Sequence, residues 1–312
     1  MSKLNVSVSP HIRSGVTTTG IMLDVIIALL PAFAASVWLF GARALYITAI
    51  CVLTCVLGEL AFELITKREL TVGDLSAVVT GMLLSFNLPV DIPEWQAVIG
   101  SLIAIVVVKQ LFGGIGCNFA NPALTARVIM LLSFAQTTAF TAPRGADLVG
   151  GATPLALIAQ GEQDKLPSLF KMLLGERAGS MGETCAIALI VGFIYLLCRK
   201  VITWHTPVVF AGTVFLLSLI TSDFSLKAAL YQVLGGGLLL GAIFMATDYS
   251  TTPPTKWGKV LFGLGCGLLT FTIRRFGSYP EGVSFAILFM NILTPYISKL
   301  TARRPVGGVK AK

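Results

Sequence analysis

The 312-residue chain is 55% hydrophobic and 12% charged, about half the ~25% charged content usual for a soluble domain, which excludes a soluble globular protein. Its formal charge of +8 would suit a nucleic-acid partner, but the cations gather at one set of helix ends, the pattern of a multispanning membrane protein.

A lipid-spanning helix takes about 20 mostly apolar residues. Such stretches run at approximately 20–40, 44–65, 73–90, 96–112 and 123–141. After a polar interruption they resume at 183–200, 205–222, 228–247, 257–276 and 281–300. The predicted fold is an all-α polytopic membrane protein of about ten transmembrane helices. Residues 1–19 form a polar cytoplasmic arm, 20–140 a first five-helix half, 141–182 an outer loop, 183–300 a second half and 301–312 a cytoplasmic tail. No small-residue cleavage site follows the first apolar stretch and the segment before it is weakly basic, so it reads as a retained helix rather than a signal peptide.

With the N-terminus in the cytoplasm, the cytoplasmic ends collect Lys67, Arg68, Arg127, Arg199, Lys200, Lys256, Lys259 and Lys299, together with the basic residues of the arm and tail. The short outer connections hold only Arg43, Lys227 and the pair Arg274–Arg275, and that pair is the exception to the positive-inside bias. This orientation puts residues 141–182 on the outer face.

Five helices on each side of the loop suggest two halves with inverted topology. Shifting the chain by 164 residues lays Pro89 on Pro253 and Phe112–Gly113 on Phe276–Gly277, each followed by an Asn and a Pro (Asn121–Pro122; Asn291 and Pro295). The stretch FGGIGCNFANPALTAR, 112–127, is too rich in Gly, Asn and Pro to be lipid-exposed helix. Irregular backbone at membrane depth needs cover from protein or water. The expectation is a broken or re-entrant segment in which Asn118 and Asn121 satisfy freed backbone groups, with a second break at DYSTTPPTKWG, 248–258.

Ionisable residues inside spans are functional candidates by default. Asp24 lies in the first helix, and Glu59 and Glu63 share one face of the second, four residues apart, so these three are the candidate ion path. The competing structural reading pairs Glu63 with Lys67. Lys109 and Asp248 read as caps of broken segments or as partners of each other. The six cysteines are scattered without a CxxC or His–Cys cluster, so they read as small apolar residues rather than as metal or cluster ligands.

The longest polar interruption contains DLVGGATPLAL, 147–157. Its geometry reads as a turn entering a helix, with Thr153 as N-cap and Pro154 at the first helical position. Gly150, Gly151 and Ala152 leave the Thr153 hydroxyl open to a large approaching group, and Asp147 lies six residues upstream. No base is expected near enough to make Thr153 a nucleophile on its own: neither His11 nor His205 is placed near this loop.

DLVGGATPLAL resembles the flavinylation motif, D-x-x-S/T-G-A-T, of the family formed by the D subunit of the Rnf complex and the B subunit of the sodium-translocating NADH:quinone reductase. Asp147, Gly151, Ala152 and Thr153 match it, and Gly150 stands where Ser or Thr is usual. SPHIRSG at 9–15, IMLDVIIALLPA at 21–32 and GGIGCNFANPAL at 113–124 are similar to family segments in the same order, and the chain length is closer to the Rnf member. The resemblance implies FMN joined through its phosphate to Thr153. It also implies a flavin transferase acting outside the cytoplasm, other Rnf subunits as partners, location in the bacterial cell membrane, and electron flow from ferredoxin to NAD+ coupled to movement of Na+ or H+. The competing class is an inverted-repeat solute channel or transporter, in which the breaks form a midplane site and the outer loop is a lid.

Overall fold

In the computed structural model, residues 15–143, 152–162, 165–222, 224–277 and 281–302 are described. Among them the regular structure is entirely helical. The first part contains α1 (Thr18–Phe40), α2 (Ala42–Thr66), α3 (Ser76–Phe86), α4 (Glu94–Leu102), which continues as a π-helix over Ile103–Gln110, and α5 (Pro122–Ser133). Two short helices, α6 (Pro154–Gln160) and α7 (Leu169–Leu174), lead to α8 (Ala186–Cys198) and α9 (His205–Thr221). Then come α10 (Leu226–Leu234), α11 (Leu238–Leu240) with a π-helical extension over Gly241–Met245, α12 (Lys256–Phe276) and α13 (Val283–Leu300).

Local chemistry sets these boundaries. Thr17 caps α1 by accepting from Gly20 N at 3.1 Å. Gly41, at φ 78°, turns the chain directly from α1 into α2, a backbone angle that costs a side-chain-bearing residue free energy. Asn121 caps α5 by accepting from Ala123 N at 3.1 Å and Leu124 N at 3.2 Å, and Pro122 occupies the first turn, where no N–H is needed.

The packing is inverted relative to a soluble protein. Glu59, Glu63, Lys109, Arg127 and Arg177 are buried, while Trp38, Leu53, Leu57, Ile65 and Leu300 face outward. Hydrocarbon offers no hydrogen-bond partners, so polar groups must find theirs inside the bundle.

Three helices, α1, α2 and α13, are each long and apolar enough to cross a bilayer, and α10 with α11 and its extension meets that test as a pair bent by 64°. Among the described residues the sequence reading of about ten transmembrane helices is therefore met only in part. The stretches read at 73–90, 123–141 and 183–200 form helices of 11, 12 and 13 residues, about 17–20 Å long and short of a ~30 Å hydrocarbon core. Window hydropathy counts apolar residues and does not see the breaks at Asn87, Asn121 and Cys185 that end or start the helical hydrogen bonds.

The 21 residues of α12, about 31 Å, mark two opposite ends of the bundle. At its start Lys259 Nζ donates to Thr203 Oγ1 at 3.1 Å, and at its end Arg274 Nε donates to Glu281 O at 3.1 Å. Helices α1 and α8 run antiparallel between those ends. Tyr195 Oη and Arg199 Nε, at the end of α8, reach Asp24 Oδ1 near the start of α1 at 2.9 and 3.1 Å.

The two helices touch at Gly192, where an added Cβ would lie 2.3 Å from the Ala28 carbonyl oxygen. Gly192→Val should cost at least the ~1–3 kcal/mol of overpacking, read as a lower melting temperature in detergent. Gly212→Ala, with no atom within 4 Å of its added Cβ, should leave the melting temperature unchanged or slightly raised.

Candidate functional site

Thr153 is the N-cap of α6: its side-chain oxygen accepts from Ala156 N at 3.3 Å, and Pro154 follows in the first turn. This agrees with the expected N-cap, but Thr153 is only 7% exposed, so the residue is not open in the way the small residues before it suggested. Asp147, Gly150 and Gly151 lie outside the described residues; Ala152 and Thr153 lie within them, on the wall of a cavity of about 420 Å³. Arg127, Phe140, Gln160 and Glu281 line the same space. The volume falls in the range of small-molecule sites.

The cavity has an apolar wall with two charged groups in it. Arg127, on α5, is 2% exposed; its Nη1 donates to Thr137 O at 3.0 Å, and its Nη2 stands 3.5 Å from Glu281 Oε2 without forming a hydrogen bond. Glu281 Oε1 is likewise buried without a partner. A buried polar atom without a partner costs about 1–3 kcal/mol, and more when charged, so these two atoms are suited to receiving a polar ligand. Together with the free volume beside the hydroxyl, they fit a phosphate-linked ring system anchored at Thr153.

Two further arginines brace this end of the molecule. Arg274 donates through Nη1 to Gln232 O at 2.5 Å and through Nη2 to Gly235 O at 3.2 Å. Arg177 donates to Leu234 O, to Glu183 O at 2.5 Å and to Thr184 O at 3.2 Å. The carbonyls freed at the α10–α11 bend are thus held by cations at a helix C-terminus, where the helix dipole favours positive charge. Of the pair Arg274–Arg275 that stood out in the charge pattern, Arg274 lies at the Thr153 end because it closes the bend. The sequence reading missed Arg177 altogether, and it counted Arg127 with the cytoplasmic cations. The structure puts Arg127 on the Thr153 side, because α5 starts inside the bundle rather than at its surface.

At the opposite end, the helix breaks 112–121 and 248–250 contribute to a second cavity of about 400 Å³, with Ser76, Lys109, Asn118, Asp248 and Tyr249 among its walls. Asn121 satisfies freed backbone as expected, donating to Met245 O at 3.4 Å as well as capping α5. Asn118 does not: its Oδ1 is buried without a partner.

Beside this cavity Lys109 Nζ donates to Glu59 Oε1 and to Ser76 Oγ, both at 2.5 Å, and Gln110 Nε2 donates to Glu59 Oε1 at 2.6 Å and Glu63 Oε1 at 3.4 Å. Glu63 also accepts from Thr71 N at 3.0 Å and from the Thr71 hydroxyl. Its partners are therefore Thr71 and Gln110 rather than Lys67, which ends α2 in the left-handed conformation at φ 53°. Lys109 pairs with Glu59 rather than with Asp248, whose Oδ2 accepts from Ser250 at 2.9 Å and Thr251 at 3.1 Å. Of the three carboxylates read as an ion path, the structure joins Glu59 and Glu63 through Gln110, while Asp24 is held by Tyr195 and Arg199.

Inward charges, outward apolar side chains and helices broken inside the bundle define a helical membrane protein with cavities at both ends. The chain belongs to the NQR2, RnfD, RnfE family, whose profile matches residues 5–307. It is 44% identical over 318 residues to the D subunit of the Na(+)-translocating ferredoxin:NAD(+) oxidoreductase complex of Acetobacterium woodii, covering 100% of this chain and 98% of that protein. It is 40% identical to the proton-translocating counterpart of Clostridium ljungdahlii, over 95% of this chain and 94% of that protein. It is 35% identical to the D subunit of the ion-translocating oxidoreductase complex of Halorhodospira halophila, over 96% and 94%.

The Glu59–Lys109 pair, with side chains 0% and 2% exposed, gives a stability test. Lys109→Met leaves a buried carboxylate unpaired and should cost about 3–5 kcal/mol. Adding Glu59→Leu should recover most of that loss in thermal melts of the detergent-solubilised chain; a double variant no more stable than Lys109→Met would refute the pairing.

Proposed function

We propose that the chain is the D-type membrane subunit of an Rnf-type ferredoxin:NAD+ oxidoreductase, carrying FMN in phosphoester linkage to Thr153 and relaying electrons while the complex moves Na+ or H+ across the bacterial cell membrane. The chain is a subunit of an ion-translocating oxidoreductase and works with the other subunits of its complex; relatives named for that role match it across nearly their whole length. The observation that carries the flavin reading is the position of Thr153: the threonine of GGAT is the N-cap of α6 and stands on the wall of a ligand-sized cavity.

Bound there, FMN would supply the one- and two-electron redox chemistry that the chain's own side chains lack. Thr153 would hold the phosphate, Phe140 would offer an apolar face, and Arg127 with Gln160 would offer polar contacts. A covalent tether keeps the local concentration of the group high wherever its partner docks. The hydroxyl acts as an acceptor in its capping bond, a role that an esterified oxygen can still fill, so the modification is compatible with the start of α6. A flavin transferase would install the group, with Asp147 and the residues just before Thr153 as its recognition segment.

The outer placement of Thr153 is supported by the exposed ends of α2, α8, α12 and α13, where Lys67, Arg68, Arg199, Lys200, Lys256, Lys259 and Lys299 lie opposite Thr153, the side the positive-inside rule assigns to the cytoplasm; Arg127, Arg177 and Arg274 at the Thr153 end are engaged inside the protein. An inverted pair of five-helix halves is supported by the order of elements: with the 164-residue shift, α1, α2, α4 and α5 fall on α8, α9, α12 and α13, and α3 starts at the end of α11 and runs over its π-helical extension, with α10 left over. For the ion path, Glu59 is the strongest of the three candidate carboxylates, because its Oε2 is buried and makes no hydrogen bond; Glu63 adjoins it, and Asp24 would act separately at the start of α1.

Chain purified from a host with a functional flavin transferase should give a band that fluoresces under ultraviolet light on a denaturing gel. Thr153→Ala should reduce that signal to background, and Asp147→Ala should lower it severalfold. A dark wild-type band, or undiminished fluorescence in Thr153→Ala, would refute the linkage.

A further inference from the structure

We propose that Arg127 sets the electron affinity of the flavin on Thr153 by holding a desolvated positive charge against the polar edge of the ring. This rests on the reading of Thr153 as the FMN acceptor. Arg127 is among the largest fully buried side chains of the protein, at 2% exposure, yet it lines the same cavity as Thr153. Three separate observations converge on it.

The first is its unused donor. Nη1 is engaged by Thr137 O at 3.0 Å, but Nη2, buried from solvent, makes no hydrogen bond. The nearest carboxylate oxygen, Glu281 Oε2 at 3.5 Å, gives Coulombic attraction without a hydrogen bond. Five fixed N–H groups make guanidinium a geometric match for an acceptor-rich planar edge, and here one end of the fork is open.

The second is the balance of charge. Arg127, Arg177 and Arg274 stand with Glu183 and Glu281, and both Arg177 and Arg274 feel the two carboxylates electrostatically. Three guanidiniums stand against two carboxylates, an excess of one cation by formal count. The donors of Arg177 and Arg274 are directed at the carbonyls of Glu183, Thr184, Gln232, Leu234, Gly235 and Glu281. Arg127 is the one of the three whose buried nitrogen lacks a hydrogen bond.

The third is the chemistry of the ring. A bound isoalloxazine would supply two-electron chemistry, and uptake of two electrons from a one-electron carrier of the complex with one proton at N5 would leave a negative charge on its N1–C2=O edge. In a low-dielectric cavity a fixed cation near that edge stabilises the reduced form far more than it would in water. Arg127 thereby raises the midpoint potential. Glu281, pairing loosely with it, partly offsets that field and acts in the opposite direction.

The test is a spectroelectrochemical titration of the flavin-loaded chain, with covalent loading read in parallel from gel fluorescence. Arg127→Gln should lower the equilibrium constant for reduction at least tenfold, about 30 mV for a two-electron couple, while Arg127→Lys should retain most of the wild-type value. Glu281→Gln should shift the midpoint upward, a change of sign that a purely structural role for Arg127 does not predict, and this variant keeps the test decisive if Arg127→Gln fails to fold. A fully loaded chain whose midpoint ignores the folded substitutions at both positions would overturn the role of Arg127 alone. A dark wild-type band would overturn the Thr153 linkage and, with it, this proposal.

Discussion

A backbone amide or carbonyl released by a helix break inside the hydrocarbon must be satisfied by the protein itself, and the arrangement at the centre of this molecule depends on that being done. Asn121 caps α5 and also donates to Met245 O at 3.4 Å, tying the start of one short helix to the end of the α11 extension. Asn291, with its amide oriented to suit its neighbours, donates to Thr251 O at 3.2 Å and accepts from Asn121 N at 3.2 Å. Thr294 Oγ1 donates to the same Thr251 carbonyl at 2.8 Å, and Asn87 Nδ2 donates to Leu83 O at 2.7 Å at the end of α3. The two bonds of Asn121, to Met245 O and to Asn291, hold the interruptions of the first and second parts of the chain against one another.

The two cavities follow from that junction. Because α5 begins inside the bundle, Arg127 lies between the junction and the Thr153 end, while the incoming segment 112–121 stays on the Lys109 side with Asn118. Each end therefore has its own charged group: Glu59, Lys109, Gln110 and Glu63 at one, and Arg127, Glu281, Arg274, Arg177 and Glu183 at the other. With FMN on Thr153 as proposed, the redox group would stand at the end opposite the Glu59–Lys109 cluster.

Much of this is legible in the sequence where the signal is local. The ends of α1, α2, α9, α12 and α13 lie within two residues of the apolar stretches read from composition, and Thr153 is the cap that the Thr–Pro pair implies. The breaks at 112–122 and 248–258 are visible as clusters of Gly, Asn and Pro, which cannot face lipid. What stays hidden is depth and long-range pairing. Nothing in a hydropathy window says that α5 starts in the interior, so the charge pattern alone puts Arg127 on the wrong side. Glu59 finds Lys109 fifty residues away, a partner that helical spacing cannot propose, whereas the nearby Lys67 that spacing does propose ends its helix without reaching Glu63. The Arg274 anomaly is the one sequence sign of the clamp on the α10–α11 bend, and its meaning depends on seeing the freed carbonyls.

The central claim is that a flavin anchored at Thr153 occupies the cavity bounded by α5, α6 and the start of α13. A density map of the assembled, fully matured complex tests it most directly. Ring density is expected in that cavity, continuous through a phosphate with Thr153 Oγ1 and within contact distance of the Arg127 guanidinium. Density leading from another hydroxyl, or a ring lying on the Lys109 side with Thr153 unmodified, would contradict it.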